Sequence, residues 1–253
     1  MTQSTQATFN LWNDPWIDLE NQKGEIERLS LEEVLTKAHS YRAVFDPSPL
    51  AVVGIHRLLV AILQFVVAPE KNADLKKLWR AGRFSAQAIT KFGKEYAHRF
   101  DLFSETEPFL QSSDIPIEIS KAYETSSISR LTCDIPSGTY IEFYHHGNES
   151  AYFFCLSCAA RQLTTVPAFA TAGGRPFRPS INGVPPIYIL PGGNTLFESL
   201  AASLTRPEYQ PKVATSKDDA WWLHKPVVKK CGEITAIPYM RRRLSKEEEN
   251  GVS

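Results

Sequence analysis

With 253 residues, 43% of them hydrophobic, and 28 basic against 28 acidic side chains, the chain can fill one large globular core and carries no net field toward a polyanion or a membrane. Four cysteines are too few for a disulfide scaffold, and the polar start Met1-Thr2-Gln3-Ser4-Thr5-Gln6 lacks the cationic and apolar pattern of a secretory leader, so a cytoplasmic chain with reduced thiols is expected. The longest apolar run, 58–68, is broken by Gln64 and falls short of the roughly 20 residues of a membrane span, so none is expected.

Residues 9–17 alternate large apolar with polar side chains, and Asn21-Gln22-Lys23-Gly24 followed by Ile26 and Leu29 completes the pattern of a hairpin. Ser30-Leu31-Glu32-Glu33 has the form of a capping box and predicts a helix over 31–39. Ser48-Pro49 opens the strongest helix, because proline suits the first helical position. Val52, Val53, Ile55, Leu58, Leu59, Ile62, Leu63 and Val66 cover most of its circumference, which places it at the centre of the core. Helices are expected next over 73–81 and 85–97, the second with Ile89, Phe92 and Tyr96 at helical spacing. Lys71, Lys76, Lys77, Arg80, Arg83, Lys91 and Lys94 make this stretch locally basic, the ordinary pattern of a solvated face.

Residues 98–111 mix aromatics, charges and Pro108 without a period and read as a packed irregular connection. From 114 to 152 the chain is rich in Ser, Thr, Ile and Tyr and interrupted by Pro116, Pro136 and Gly138, which predicts short strands and loops. A helix is expected over 159–166, stopped by Pro167. Tyr188-Ile189-Leu190 reads as a strand, followed by a turn and a helix through Leu204 capped by Asn194 or Thr195. The end from Trp221 adds an aromatic stretch, another candidate strand and a basic cluster. With no repeat and no low-complexity linker, a single α+β domain is expected over 1–253, with residues 1–8 disordered.

Chemistry-bearing residues are few. Cys155-Leu156-Ser157-Cys158 is a CxxC, which structural zinc, a redox dithiol and chance all produce. A zinc site would need further ligands from Cys133, Cys231, His145, His146 or His224, and the pair reads equally as two partly buried thiols at a helix start. A zinc deaminase is excluded, since His146 and Glu149 are separated by two residues and Phe154 stands where that motif has proline. The segment Ala172-Gly173-Gly174-Arg175-Pro176-Phe177-Arg178 would let backbone approach a nucleic-acid groove while Arg175 and Arg178 meet phosphates, or is an ordinary connection. No GKS or GKT follows it, so it is not a P-loop. Lys229, Lys230, Arg241, Arg242 and Arg243 belong to a second basic patch able to meet nucleic-acid backbone. No Ser-His-Asp set, carboxylate pair or nucleotide fingerprint stands out, so no catalytic residue is assigned.

Residues 9–17, Arg99-Phe100-Asp101-Leu102-Phe103 with Pro108-Phe109-Leu110-Gln111, and Cys155-Leu156-Ser157-Cys158-Ala159-Ala160 resemble the large subunit of the type I-E CRISPR Cascade complex, the CasA family. Gly183-Val184-Pro185-Pro186-Ile187-Tyr188 and then Thr195-Leu196-Phe197-Glu198-Ser199-Leu200 are similar to that family's next block. The resemblance implies the fold of the family's N-terminal domain, ending inside that domain and without the C-terminal helical bundle. It also implies a non-catalytic subunit of an RNA-guided complex that takes part in PAM recognition, double-stranded DNA binding and recruitment of the helicase-nuclease. Its implied partners are the other Cascade subunits, the guide RNA, target duplex DNA and the helicase-nuclease, with no membrane. Carried over by position, the PAM-reading loop falls on Ala172, Gly173, Gly174 and Arg175, and a mobile loop falls on Tyr144, His145, His146 and Asn148. Cys155 and Cys158 match half of a zinc site found in some members. The alternative is a truncated or split structural subunit that assembles with the complex without reading PAM.

Overall fold

A computed structural model describes residues 8–111, 128–132, 153–169, 187–210 and 220–223. The first regular element is a three-stranded antiparallel sheet in the order β2–β1–β3, built from β1 (Ile17–Asn21), β2 (Ile26–Leu29) and β3 (Tyr41–Val44). Ile17 pairs with Leu29 and Leu19 with Val44, so alternate residues of β1 enter the core. The turn between β1 and β2 is made by Asn21, whose Oδ1 accepts the Lys23 and Glu25 amides at 2.8 and 3.1 Å. Gly24 has φ +83, a left-handed value that glycine adopts without strain.

The predicted hairpin therefore exists, but its first strand begins where the alternating run 9–17 ends. The cause is a local turn: the amides of Asn13 and Asp14 both donate to the Asn10 carbonyl, and the Asp14 carboxylate takes the Asn10 amide. Trp12 and Trp16 are thereby delivered to the core from irregular backbone. Strand β3, only four residues long, carries no pattern that sequence reasoning recovers.

Among the described residues six α-helices follow from local signals and packing. Helix α1 (Leu31–Lys37) has the expected capping box, with Ser30 accepting from the Glu33 amide. Helix α2 (Pro49–Val67) has Ser48 as its cap and Pro49 in its first turn. Its 19 residues and hydropathy of 2.2 are also those of a bilayer span, yet Ile55, Leu59, Ile62 and Leu63 are fully buried inside the protein. Helix α5 (Leu156–Phe169) crosses α2 so closely that a methyl on Gly54 would sit 2.6 Å from Thr164 Oγ1 and 2.7 Å from its carbonyl oxygen.

Helices α3 (Asn72–Ala81) and α4 (Ala86–Tyr96) lie where their spacing predicts them. Helix α4 buries Ile89 and Phe92, whereas α3 buries nothing completely and rests its half-buried Leu75 and Leu78 on the core. Residues 98–111 form the expected irregular connection, with Phe100, Leu102 and Phe109 fully buried. Helix α6 (Leu196–Ala202) is capped by Thr195 and ends two residues before Leu204.

Two expectations are corrected. Helix α5 starts three residues earlier than predicted and runs through Pro167, because the missing amide falls in its last turn and buried Val166 and Ala168 hold that turn in place. Residues 187–190 form no strand among the described residues. They retain the alternating exposure of an extended chain, with Ile187 and Ile189 outward and Tyr188 turned toward α2.

Candidate functional site

Of the residues singled out from sequence, Cys155 and Cys158 are placed by the structure. Ala172, Gly173, Gly174, Arg175 and Arg178, the stretch with Tyr144, His145, His146 and Asn148, and Lys229, Lys230, Arg241, Arg242 and Arg243 lie outside the described residues. Cys133, Cys231 and His224 do as well.

Cys155 occupies the cap of α5. Its carbonyl accepts the Ala159 amide at 2.9 Å and its Sγ accepts the Cys158 amide at 3.3 Å, so the thiol satisfies a helix-end donor as a serine hydroxyl would. One turn of helix then brings the two sulfurs to 3.0 Å. Both residues are half-buried.

The group that organises this corner is Arg161, one turn further along α5 and 8% exposed. Its Nη2 donates to Cys158 Sγ at 3.4 Å, its Nη1 donates to Asp18 on β1, and its Nε lies 3.2 Å from Asp46 Oδ2. Asp18 also receives a forked pair from Arg28 on β2, at 2.6 and 3.0 Å. Asp46 in turn accepts the Ser48 amide at 2.8 Å, just before α2. One guanidinium therefore ties α5 to β1, through Asp18 to β2, and to the root of α2.

The electrostatics separate the two thiols. Burial would raise Cys155, but hydrogen bonds from the Cys158 side chain and amide, with Arg161 and Arg28 nearby, outweigh it and hold the thiol below its ordinary range. Cys158 is pushed up, by burial first and then by sharing its proton with Cys155, which Arg161 only partly offsets. Burial likewise works against ionised Asp18, yet its bonds to Arg28 and Arg161 keep the carboxyl below the usual carboxylate range. Two thiols at one helix start with cations alongside suit half of a tetrahedral zinc site, and no third metal-binding side chain joins them among the described residues.

Sequence reasoning missed Arg161, Asp18 and Asp46, because the two carboxylates lie more than a hundred positions from the arginine and leave no local signal.

A concavity of about 370 Å³ lies between α2, residues 188–191 and the chain after α6. His56 Nε2 is 3.0 Å from Ser203 Oγ, a pairing that superficially resembles a nucleophile with its base. The Ser203 hydroxyl, however, donates to the Ser199 carbonyl at 2.9 Å, so the imidazole is the donor in that pair and Ser203 keeps its proton. Burial holds His56 below its ordinary value, hence neutral. Around it, Arg57 donates to the Tyr188 hydroxyl at 2.9 Å, and Gln64 clasps both backbone groups of Thr205. These contacts latch residues 188 and 203–205 onto α2.

The chain matches the model of the family CRISPR-associated protein Cse1 over residues 10–241. Over 203 residues it is 32% identical to the CRISPR-associated protein CasA/Cse1 of Thermus thermophilus, a match covering 78% of this chain and 39% of that protein. Among solved structures, Thermobifida fusca Cse1 superposes with a TM-score of 0.72 at 26% identity, over 87% of this chain and 43% of that one. A chain of a CRISPR RNA-guided surveillance complex superposes with a TM-score of 0.65 at 20% identity, over 87% of this chain and 47% of that one, a likeness of fold. The chain thus spans less than half the length of each of these relatives.

Proposed function

The chain belongs to the CRISPR-associated Cse1 family, and on that premise we propose that it is a non-catalytic subunit of a type I-E-like RNA-guided surveillance complex that helps read PAM in duplex DNA and recruit the helicase-nuclease. The observation that carries this reading is the family match, which runs through both the segment assigned to PAM reading, 172–178, and the one assigned as a mobile loop, 144–148. The geometry adds a physical reason. Those segments flank α5 in sequence, and its 14 residues make a rod about 21 Å long between them in the chain. Arg161 ties that rod to the sheet, and one turn further on the Gly54 crossing packs it on α2. A PAM-reading element benefits from such a mount, because contacts to base edges are won only when their geometry is held.

The test is binding of target duplex to the reconstituted guide-RNA complex, with and without this chain, on permissive and scrambled PAM at matched salt. The chain is expected to strengthen binding of the permissive target alone, and Arg175→Ala or Gly174→Asp should each weaken it with the fold intact. A chain that joins the complex and leaves both targets unchanged would instead be an assembly subunit without PAM reading.

The same reading includes zinc as a structural ion, with Cys155 and Cys158 supplying two thiolates and the remaining ligands coming from Cys133, Cys231, His145, His146 or His224. When bound, zinc would cross-link the start of α5 to whichever stretch carries the remaining ligands. Elemental analysis of protein purified without chelators should find zinc, and Cys158→Ser should lose it. A metal-free wild-type chain would leave the pair as a reduced dithiol.

A further inference from the structure

We propose that Cys155 and Cys158 form a reversible redox modification site, a dithiol that glutathione disulfide converts to an intramolecular disulfide. Two sulfurs on one tetrahedral zinc stand about 3.8 Å apart, given bonds of about 2.3 Å. Two sulfurs bonded to each other stand about 2.05 Å apart. Here they are 3.0 Å apart, closer than a shared metal would set them. Each is placed by a contact of its own. The Cys158 amide donates to Cys155 Sγ at 3.3 Å and holds that sulfur over the helix start, while Arg161 Nη2 donates to Cys158 Sγ at 3.4 Å. Arg161 is itself held by Asp18 and Asp46, so the cradle around Cys158 is built from β1 and the root of α2 as well as from α5.

The pair is within reach of a peptide-sized oxidant. Both thiols are half-buried, Phe153 just before them is 62% exposed, and the Arg28 side chain is 46% exposed. Glutathione disulfide is an anion, and Arg28 and Arg161 set positive charge beside the sulfurs. In the first step Cys155 gives up its proton to water and its sulfur attacks one sulfur of glutathione disulfide. That S–S bond breaks, one glutathione leaves as a thiolate and takes a proton from water, and Cys155 carries the other as a mixed disulfide. Cys158 then gives up its proton, its sulfur attacks Cys155 Sγ, and the second glutathione leaves in the same way. The chain has lost two electrons and two protons, and one glutathione disulfide has become two molecules of glutathione. The second attack starts from 3.0 Å, a near-attack distance (~3–3.5 Å), so it outruns the first. Excess reduced glutathione drives the same steps backward. On the zinc reading the bond would also deny the metal both thiolates, but the disulfide itself requires no zinc.

The experiment treats the wild-type chain, and the variant Cys133→Ser/Cys231→Ser in which the pair holds the only cysteines, first with a chelator and then with excess glutathione disulfide. Intact mass and peptide mapping after alkylation read the products. Both proteins should acquire a Cys155–Cys158 disulfide, become lighter by two hydrogens at that peptide, carry no glutathione there, and return to the dithiol in excess reduced glutathione. In Cys158→Ser the resolving sulfur is gone, and Cys155 should retain glutathione at no less than ~10-fold the wild-type occupancy. Far-UV circular dichroism checks that the variants are folded, and the wild-type arm stands without them. A pair that stays reduced, a wild-type Cys155 that keeps glutathione as it does in Cys158→Ser, or a disulfide made to Cys133 or Cys231 instead would each overturn the proposal. Oxidation of the chelated pair upholds it even in a chain that takes no zinc. A pair that stays reduced overturns it even in a chain that binds zinc, so the two readings fail separately.

Discussion

Replacing Arg161 with methionine is expected to destabilise the fold by about 3–5 kcal/mol, although methionine fits the volume of the arginine stem. The cost does not come from losing an attraction in water. Asp46 and Asp18 have side chains only 7% and 14% exposed, and Arg161 answers a carboxylate oxygen of each. Removing the cation leaves Asp46 buried beside the cap of α2 and leaves Asp18 with Arg28, whose own side chain is 46% exposed. A buried carboxylate deprived of this cation loses more than the pair ever gained.

The pH dependence tests the cause. Asp18 titrates below its unfolded value, so its contribution to stability is present above the unfolded value and is lost as pH falls through the folded one. The gap between wild type and Arg161→Met in urea unfolding should therefore be widest at neutral pH and narrow as pH drops below about 4, where a protonated carboxyl no longer needs the cation. The double variant Asp18→Asn/Arg161→Met should lie closer to wild type than the sum of the two single changes predicts. A penalty that stays constant with pH and adds simply would assign the loss to packing of the arginine stem. If the chain reads PAM as proposed, the same variant should also weaken PAM discrimination in the reconstituted complex, because Arg161 ties α5 to the sheet.

That network marks the boundary of what the sequence discloses. Ser30 with Glu33, Ser48 with Pro49, Ser85 and Thr195 each satisfy helix-end amides within three residues, so α1, α2, α4 and α6 can be read from neighbours alone. The α+β class and the central place of α2 follow from such local signals and from hydrophobic patterning. The start of β1 does not, because it depends on Asn10 and Asp14 closing a turn through a run whose alternation imitates a strand. Pro167 misleads for the opposite reason: tertiary burial of its neighbours outweighs one lost hydrogen bond. The CxxC is legible as a motif, while the cation that sets its electrostatics is legible only as one arginine among many. Arg161 acquires its role from carboxylates that the fold brings from the sheet and from the root of α2.

Trp12→Ala is expected to cost about 3–5 kcal/mol, the upper range for core truncations, because its indole is buried against both α4 and the connection that follows it. Trp12 is 2% exposed, with ring centroids 5.2 Å from Phe92 on α4 and 5.7 Å from Phe100 in the following connection. Its carbonyl accepts the Glu32 amide at the start of α1. Helix α4 makes room for the indole by carrying glycine at 93, where a methyl group would overlap Trp12 Nε1 and Cε2. This complementarity gives a sharper test than the single loss. In the wild type, Gly93→Ala should destabilise by about 1–3 kcal/mol through overpacking, even though alanine is the better helix former. In the Trp12→Ala background the overlap is gone, and the same change should become neutral or stabilising by up to about 1 kcal/mol from helix propensity. Denaturant melts of the four proteins measure the coupling. If Gly93→Ala is equally harmful in both backgrounds, glycine is required there for a reason other than the indole, and the aromatic cluster is not what locks α4 to the N-terminal segment.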